Sequence, residues 1–375
     1  MKIVSKDLVN ELKKNKLFYF LIFIIFILHL FTYPSIHHIG DELLYLNVGK
    51  EICQGSFSSF LGNAKILVHT PVYHTSLCLT SFIHNFNLET AELVTFSYLI
   101  LMVLCWYFSI PKNSNFDRKN FVLLLFSNSL LWIYSLRVLT DVPLAFFLSL
   151  GMLHLYLYFE YKKKRNYYLS FIFLSLATLV KENALIYLPI FFLYILLKTP
   201  KNIKKIYLLL LPLLPYLIFI LYQFSTGYKI FKIFILAFKS TTPADFSFIP
   251  YANLPVFIYM IGSFGIGILS IILVLKNMKK IKIDFRNFAV FFLVMYMFWE
   301  FLYDFIAFAS IPRYHLTLIP FFSLIITESS KIDRKMKYLY YLTLVYTLIT
   351  GFLISYYFHT ETVEIWKFLG FLKRI

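Results

Sequence analysis

Charged side chains that could carry chemistry occur at four places in an otherwise strongly apolar chain. These places are Asp41-Glu42, Arg137 with Asp141, Lys181-Glu182, and Glu300, Asp304 and Arg313. A carboxylate can act as the general base on an attacking hydroxyl, and Lys or Arg can neutralise a departing phosphate in a partly dry site. These residue types suit the transfer of a group from a phosphate to a hydroxyl acceptor.

The composition places these groups in a membrane protein. Of the 375 residues, 60% are hydrophobic and only 15% are charged, whereas a soluble domain carries about 25% charged residues. Long apolar runs recur from end to end, separated by short Lys-rich breaks. This pattern excludes a cytosolic enzyme, a secreted disulfide scaffold and a nucleic-acid-binding domain, so the net charge of +17 needs a membrane explanation.

The apolar runs predict an all-α, polytopic membrane protein with about eleven transmembrane helices. The predicted crossings lie at residues 17–33, 91–110, 121–136, 142–159, 167–180, 184–197, 206–224, 255–275, 288–305, 314–327 and 338–358. The crossings at 167–180 and 184–197 are short for a bilayer core of about 30 Å. Because their joining turn is charged, we expect a water-filled cavity there that opens outward.

The basic clusters set the orientation. Lys and Arg concentrate in residues 1–16 and in five later clusters, at 112–119, 162–165, 198–205, 276–286 and 331–337. The positive-inside rule makes all six segments cytoplasmic, with a cytoplasmic N-terminus in the cell membrane and a short external tail at 359–375.

This orientation excludes a further crossing within residues 34–90. If the apolar run at 71–86 crossed the bilayer, every later basic cluster would face outward. We therefore expect 71–86 to lie in, or dip into, the outer interface as part of one external loop, 34–90. Within that loop, the four-residue spacing of Leu44, Val48 and Ile52 predicts an amphipathic interfacial helix over 41–54.

All four charged groups fall on the outer side of a topology derived without them, which predicts one shared site. Each group also has a simpler structural interpretation. Asp41 and Asp141 could be helix N-caps, with Arg137 pairing with Asp141 in either case. Lys181-Glu182 could be a surface ion pair, and the fourth group a buried structural one.

The cysteines and histidines give a weaker indication of function than the charged groups. Cys53 and Cys78 could form a disulfide in the external loop, but we expect two free buried thiols. His29 and His154 lie within apolar runs and are expected to be core residues. The external loop also holds four histidines: His37, His38, His69 and His74. They have no recognised ligand spacing, so a divalent metal is possible but not indicated.

Five short motifs follow one another along the chain. They are GDE at 40–42, HTPVY at 69–73, LTDVPLA at 139–145, ATLVKE at 177–182 and RYHLTLIP at 313–320. In order and spacing the chain resembles the membrane glycosyltransferases of the C superfamily (GT-C). More narrowly, it is similar to the group that contains the protein O-mannosyltransferases, the aminoarabinose transferases and their relatives.

The resemblance implies an inverting glycosyltransferase whose donor is a sugar on a polyprenyl (dolichyl-type) phosphate at the outer face. Residues 17–358 would be the transmembrane glycosyltransferase domain, and the external loop would carry the catalytic acid. The implied partners are the lipid-linked donor and membrane lipids. The sugar, the acceptor, the isoprenoid length, any metal requirement and the oligomeric state stay open.

The resemblance also implies roles for individual residues. Asp41 would be the general base on the acceptor hydroxyl, and Asp141 the second catalytic acid of the cavity. Lys181 and Arg313 would contact the donor phosphate. The implied substrate-binding set is Glu42, His69, Lys181, Glu182 and Arg313. Thr70 departs from the family pattern, in which many relatives have a proline or a lysine.

Three other functions fit parts of the sequence. A membrane transporter or flippase would also hold intramembrane charges, but it usually shows repeated halves, which this chain lacks. A polysaccharide polymerase or ligase would share the lipid donor but transfer an oligosaccharide. A non-catalytic scaffold in glycan assembly would retain its function after Asp41→Asn.

Overall fold

The computed structural model describes residues 15–33, 40–55, 71–111, 116–181, 184–198, 213–225, 260–269, 312–332 and 334–358. Within these ranges every regular element is a helix. The α-helices are α1 (Lys16–Phe31), α2 (Gly40–Cys53), α3 (Pro71–Leu79), α4 (Ser81–His84), α5 (Leu88–Ser109), α6 (Arg118–Phe126), α7 (Ser129–Ser135), α8 (Asp141–Tyr161), α9 (Lys164–Val180), α10 (Ala184–Lys198), α11 (Leu214–Ser225), α12 (Ile319–Ser329) and α13 (Arg334–Phe358). Two 3₁₀ helices span Gly265–Ile268 and Pro312–Leu318.

Three helices in the described part of the chain are long and apolar enough to cross a membrane. They are Leu88–Ser109, Asp141–Tyr161 and Arg334–Ser355. Helix α8, with 21 residues, is about 31 Å long at 1.5 Å per residue, which matches a bilayer core of about 30 Å. Shorter apolar helices occupy the predicted crossings near residues 17–33, 184–197 and 314–327. The predicted crossing at 288–305 lies outside the described residues.

Residues 71–86 do not form a spanning helix. Helices α3 and α4 have nine and four residues, and a nine-residue helix is only about 14 Å long. The turn into α5 is left-handed at Asn85 and Phe86, with φ of 43° and 54°. His84 fixes this turn because its Nε2 donates to the Leu77 carbonyl at 2.8 Å while its Nδ1 accepts from the Phe86 backbone N–H. The expected helix over 41–54 is present as α2.

Helices α2 and α3 pack closely and are joined by a disulfide. A Cβ added to Gly49 would lie 2.9 Å from Leu77 Cβ, so the glycine permits the close approach. Cys53 and Cys78 are bonded, with Cα atoms 5.2 Å apart. The expectation of two free thiols is therefore wrong, because this packing brings the two Cα atoms within disulfide range. Cys105 is a free thiol in α5.

Helix α8 lies at the centre of the bundle, and nearly all of its residues are buried. It packs along α9, α5 and the 3₁₀ helix Pro312–Leu318. Gly151 lets α9 approach, since a Cβ there would lie 2.7 Å from Leu174 Cδ2. The Ser170 hydroxyl donates to the Gly151 carbonyl at 2.8 Å. Small residues and hydroxyl hydrogen bonds are a common basis for close helix contacts in membranes.

The predicted crossing at 121–136 is interrupted at Ser127 and Asn128, which separate α6 from α7. Asn128 caps α7 because its Oδ1 accepts from the Leu131 backbone N–H, and its Nδ2 donates to Ser263 Oγ at 2.6 Å. The Ser127 hydroxyl meets Thr347 Oγ1 at 2.8 Å. These side chains satisfy backbone and polar groups that a broken helix would otherwise leave unpaired in an apolar setting.

The two histidines within apolar runs are core residues, as expected. His29 is fully buried, its Nδ1 lies 2.8 Å from the Ile25 carbonyl oxygen, and its ring stacks on Trp132 with centroids 3.9 Å apart. His154 Nε2 lies 3.2 Å from Ser109 Oγ. Both rings therefore serve helix packing.

Candidate active site

A buried ion pair marks the start of α8. Asp141 is the first residue of α8, and Lys181 directly follows α9, which runs back along α8. Lys181 Nζ donates to Asp141 Oδ1 at 2.7 Å, with side-chain exposures of 6% and 1%. The N-cap of α8 is Thr140, so Asp141 is not the cap, and Lys181 is not part of a surface ion pair. A carboxylate in the first turn is also stabilised by the helix dipole.

A second buried pair holds the first turn of α2. Glu42 is fully buried, and its Oε1 lies 3.5 Å from Arg137 Nη1. Its Oε2 accepts from the Val138 backbone N–H at 3.4 Å. The sequence offered Asp141 as a partner that Arg137 could take, whereas the ion pair that Arg137 forms in the described structure is with Glu42. Sequence spacing missed this partner.

The two pairs meet at the connection between α7 and α8. Glu42 contacts Arg137 and Val138, and Asp141 follows only three residues after Val138. The amino ends of α2 and α8 and the carboxyl end of α9 therefore converge. Asp41 precedes Glu42 in the same helical turn, and its side chain lies outside the described part of the structure.

The segment that contains Arg313 reaches the same end of the bundle. The 3₁₀ helix Pro312–Leu318 packs on α7 and α8. Thr317 Oγ1 lies 2.7 Å from the hydroxyl of Tyr187, in the first turn of α10. That turn begins beside Lys181, whose carbonyl accepts from the Ala184 backbone N–H at 3.0 Å.

Six residues that the sequence singled out lie outside the described part of the structure. They are His37, His38, His69, Glu182, Glu300 and Asp304, and the Arg313 side chain is also outside it. Among the residues that are described, no three His, Cys, Asp or Glu side chains form a group that could hold a metal ion. The described part of the site is thus made of two ion pairs on four chain segments.

Tyr73, from the HTPVY motif, supports the Glu42 side of the site. It lies in α3, is fully buried, and its hydroxyl meets Thr95 Oγ1 at 2.6 Å. Burial raises the pKa of Tyr73 well above its ordinary value, and the nearby Glu42 carboxylate adds to this rise. Tyr73 is therefore a neutral hydrogen-bonding anchor between α3 and α5.

The opposite end of α8 is basic and exposed. Residues 162–165 are all exposed at the turn into α9. Lys198 donates to Glu160 at 2.8 Å, with side-chain exposures of 40% and 25%. The buried pairs and the exposed basic turn are thus separated by the length of α8, about 30 Å.

Two comparisons relate the chain to known membrane glycosyltransferases. A family model for dolichyl-phosphate-mannose-protein mannosyltransferase matches residues 95–228, which include Asp141 and Lys181. The chain is also similar to the crystal structure of ArnT from Cupriavidus metallidurans bound to undecaprenyl phosphate, with a TM-score of 0.65 and 11% identity.

That structural match covers 85% of this chain and 61% of the ArnT chain, so it shows a common fold over part of the relative's length. No curated protein sequence matches the chain significantly. The resemblance to the mannosyltransferase and aminoarabinose transferase-like group is confirmed. The chain is a helical membrane protein that shares its fold with ArnT.

Proposed function

We propose that the protein is an inverting glycosyltransferase at the outer face of the cell membrane. It moves a sugar from a polyprenyl (dolichyl-type) phosphate to a hydroxyl acceptor. The observation that carries this proposal is the buried Lys181–Asp141 pair beside the buried Glu42–Arg137 pair. The family match over both Asp141 and Lys181, and the undecaprenyl phosphate bound to ArnT, favour a lipid phosphate as the donor class.

The cost of the buried pairs supports a functional role. Ionised side chains in a membrane protein are expensive and usually mark a substrate path or a reaction centre. A buried ion pair is seldom a net gain in stability over packed apolar side chains. Two such pairs at the connection between α7 and α8 are therefore better explained by a role in the reaction than by a contribution to stability.

Lys181 and Asp141 would form the donor end of the site. Asp141 keeps the Lys181 ammonium charged and oriented while the site is empty. When the donor arrives, the ammonium neutralises the phosphate, aided by Arg313 on the neighbouring 3₁₀ helix. Charge neutralisation in a partly dry site is the largest single contribution available for a phosphate leaving group.

Asp41 would form the acceptor end. It takes the proton of the acceptor hydroxyl as the oxygen attacks the anomeric carbon, and the bond from that carbon to the phosphate oxygen breaks on the opposite side. The configuration inverts in one step, so no carboxylate nucleophile is needed. Glu42, held by Arg137 and Val138, would fix the turn to which Asp41 belongs. His69 and Glu182 would contribute to substrate binding.

The distribution of charge and sulfur supports an external site. Disulfides persist mainly in oxidising compartments outside the cytoplasm, and the Cys53–Cys78 bond lies on the α2–α3 side of the molecule. The exposed basic turn at 162–165 suits the cytoplasmic face. Residues 1–16 would then be cytoplasmic, 17–358 the transmembrane glycosyltransferase domain, and 359–375 an external tail.

Donor consumption by the full chain in nanodiscs tests this proposal. The probes are undecaprenyl-phosphate mannose and undecaprenyl-phosphate aminoarabinose, with an extract of outer-face glycans and proteins as acceptors. We expect wild-type protein to release undecaprenyl phosphate and Asp41→Asn to lose at least about a hundredfold in rate. The matched control is Asp117→Asn, because Asp117 caps α6 at the basic end and asparagine caps equally well. Full activity in Asp41→Asn would contradict the catalytic assignment.

A further inference from the structure

The Cys53–Cys78 disulfide connects the ends of two helices in the first loop. Cys53 is the last residue of α2, and Cys78 lies in the last turn of α3. The Cys53 side chain is exposed, and the proposed external position of the loop gives a soluble thiol access to the bond. The proposed reaction uses neither sulfur.

Besides the disulfide, helix α2 is held by noncovalent packing, and Tyr45, Leu46, Val48 and Ile52 are buried along its length. Its amino end is fixed by the contacts of Glu42 with Arg137 and Val138. Its middle packs on α3, where Gly49 meets Leu77. At its carboxyl end, the disulfide is the covalent link between α2 and α3.

Helix α3 is the anchored partner of the two. Tyr73 is fully buried and bonded to Thr95 of the spanning helix α5. Leu77 is also fully buried, and α3 further packs on α9. The disulfide therefore ties the helix that contains Asp41 to a frame held by membrane-spanning helices.

A small rotation of α2 would be amplified at its amino end. Fourteen residues extend about 20 Å, so a tilt of about 3° around the Cys53 end moves the other end by about 1 Å. A displacement of about 1 Å can lower a reaction rate on the order of a hundredfold. A bond at one end of α2 can thus control geometry at the other.

We propose that the Cys53–Cys78 disulfide is a redox-sensitive positioning device for the amino end of α2. In the oxidised state it holds the turn that contains Asp41 and Glu42 in the active site. Reduction by a dithiol breaks the S–S bond, delivers two electrons and two protons to give two thiols, and converts the dithiol into its own disulfide. Helix α2 then moves more freely and turnover falls. The effect on rate rests on the proposed function, whereas the effect on α2 does not.

The test combines hydrogen–deuterium exchange with donor-consumption kinetics on the full chain in nanodiscs. Protein is measured untreated, after dithiothreitol, and after reoxidation with the reductant removed. We expect faster exchange in residues 43–53 on reduction, with α8 as the unchanged internal reference. We expect kcat to fall by about tenfold to a hundredfold while KM for undecaprenyl-phosphate sugar stays within about threefold, and both effects to reverse on reoxidation.

Two variants isolate the bond. Cys105→Ser removes only the free thiol and should keep the full response to dithiothreitol. The double variant Cys53→Ser/Cys78→Ser should match reduced wild-type protein and ignore the reductant. Reversible reduction of wild-type protein keeps the test decisive if the double variant folds poorly.

Three results would overturn the proposal: unchanged exchange in α2 on reduction, a loosened α2 with full kcat, or a change in KM alone. If untreated protein consumes no donor, the proposed function fails. The exchange result then decides by itself whether the disulfide holds α2.

Discussion

Replacing Lys181 with methionine should separate the structural role of the buried ion pair from its catalytic role. The substitution keeps the chain length but leaves Asp141 Oδ1 without its 2.7 Å ammonium partner, at a side chain that is 1% exposed. Removing one member of a buried pair costs about 3–5 kcal/mol, because an uncompensated charge stays behind. We expect a clear fall in the thermal unfolding midpoint and a loss of donor consumption of about a hundredfold to a thousandfold.

The double variant Lys181→Met/Asp141→Leu removes both charges and should recover most of the lost stability. It should not recover activity, because the donor phosphate still lacks its cation. Differential scanning fluorimetry in nanodiscs measures the first effect, and release of undecaprenyl phosphate measures the second.

The matched control is Lys198→Met. Lys198 forms an ion pair with Glu160 of nearly the same length, 2.8 Å, but at side-chain exposures of 40% and 25%. An exposed pair contributes about 1 kcal/mol or less, so stability and activity should change little. Recovery of activity in the Lys181→Met/Asp141→Leu protein would refute the assignment of Lys181 to the donor phosphate.

Two further predictions concern α2. Gly49→Ala should destabilise the protein by about 1–3 kcal/mol, since its Cβ would lie 2.9 Å from Leu77 Cβ. The control is Gly262→Ala, which has open space around the new Cβ. Equal thermal unfolding midpoints for the two variants would disprove the close contact at Gly49. Glu42→Gln should cost about 3 kcal/mol and lower kcat, because the guanidinium of Arg137, only 5% exposed, loses its carboxylate. The kinetics of this variant show whether Glu42 supports the active site or only the stability of the protein. An unchanged kcat would exclude a role of Glu42 in the active site.

Much of the helical framework follows from the sequence. Apolar periodicity placed α2, α5, α8 and α13 close to their observed bounds, and the positive-inside argument excluded a crossing at 71–86. The same argument gathered Glu42, Asp141 and Lys181 at one end of the bundle, where the structure brings them together. Hydrophobic length and charge bias are properties of the chain itself, so they need no knowledge of packing.

The sequence could not predict in the same way which side chains pair with each other. A four-residue spacing brings side chains together only within a helix. Because α8 begins at Asp141, Arg137 lies outside that helix, and it forms its ion pair with Glu42 instead. The Cys53–Cys78 bond likewise depends on packing between α2 and α3, which sequence spacing does not reveal. The break between α6 and α7 did have a local signal, the run Ser127-Asn128-Ser129, because such residues favour helix caps and turns.

The most direct test of the central claim is an experimental structure of the protein with undecaprenyl phosphate in a nanodisc. We predict that the phosphate lies at the amino end of α8, with an oxygen within about 3 Å of Lys181 Nζ, and that Asp41 faces the sugar side of that phosphate. A phosphate bound instead at the basic turn of residues 162–165, or a lipid that leaves the Lys181–Asp141 pair untouched, would contradict the transferase account.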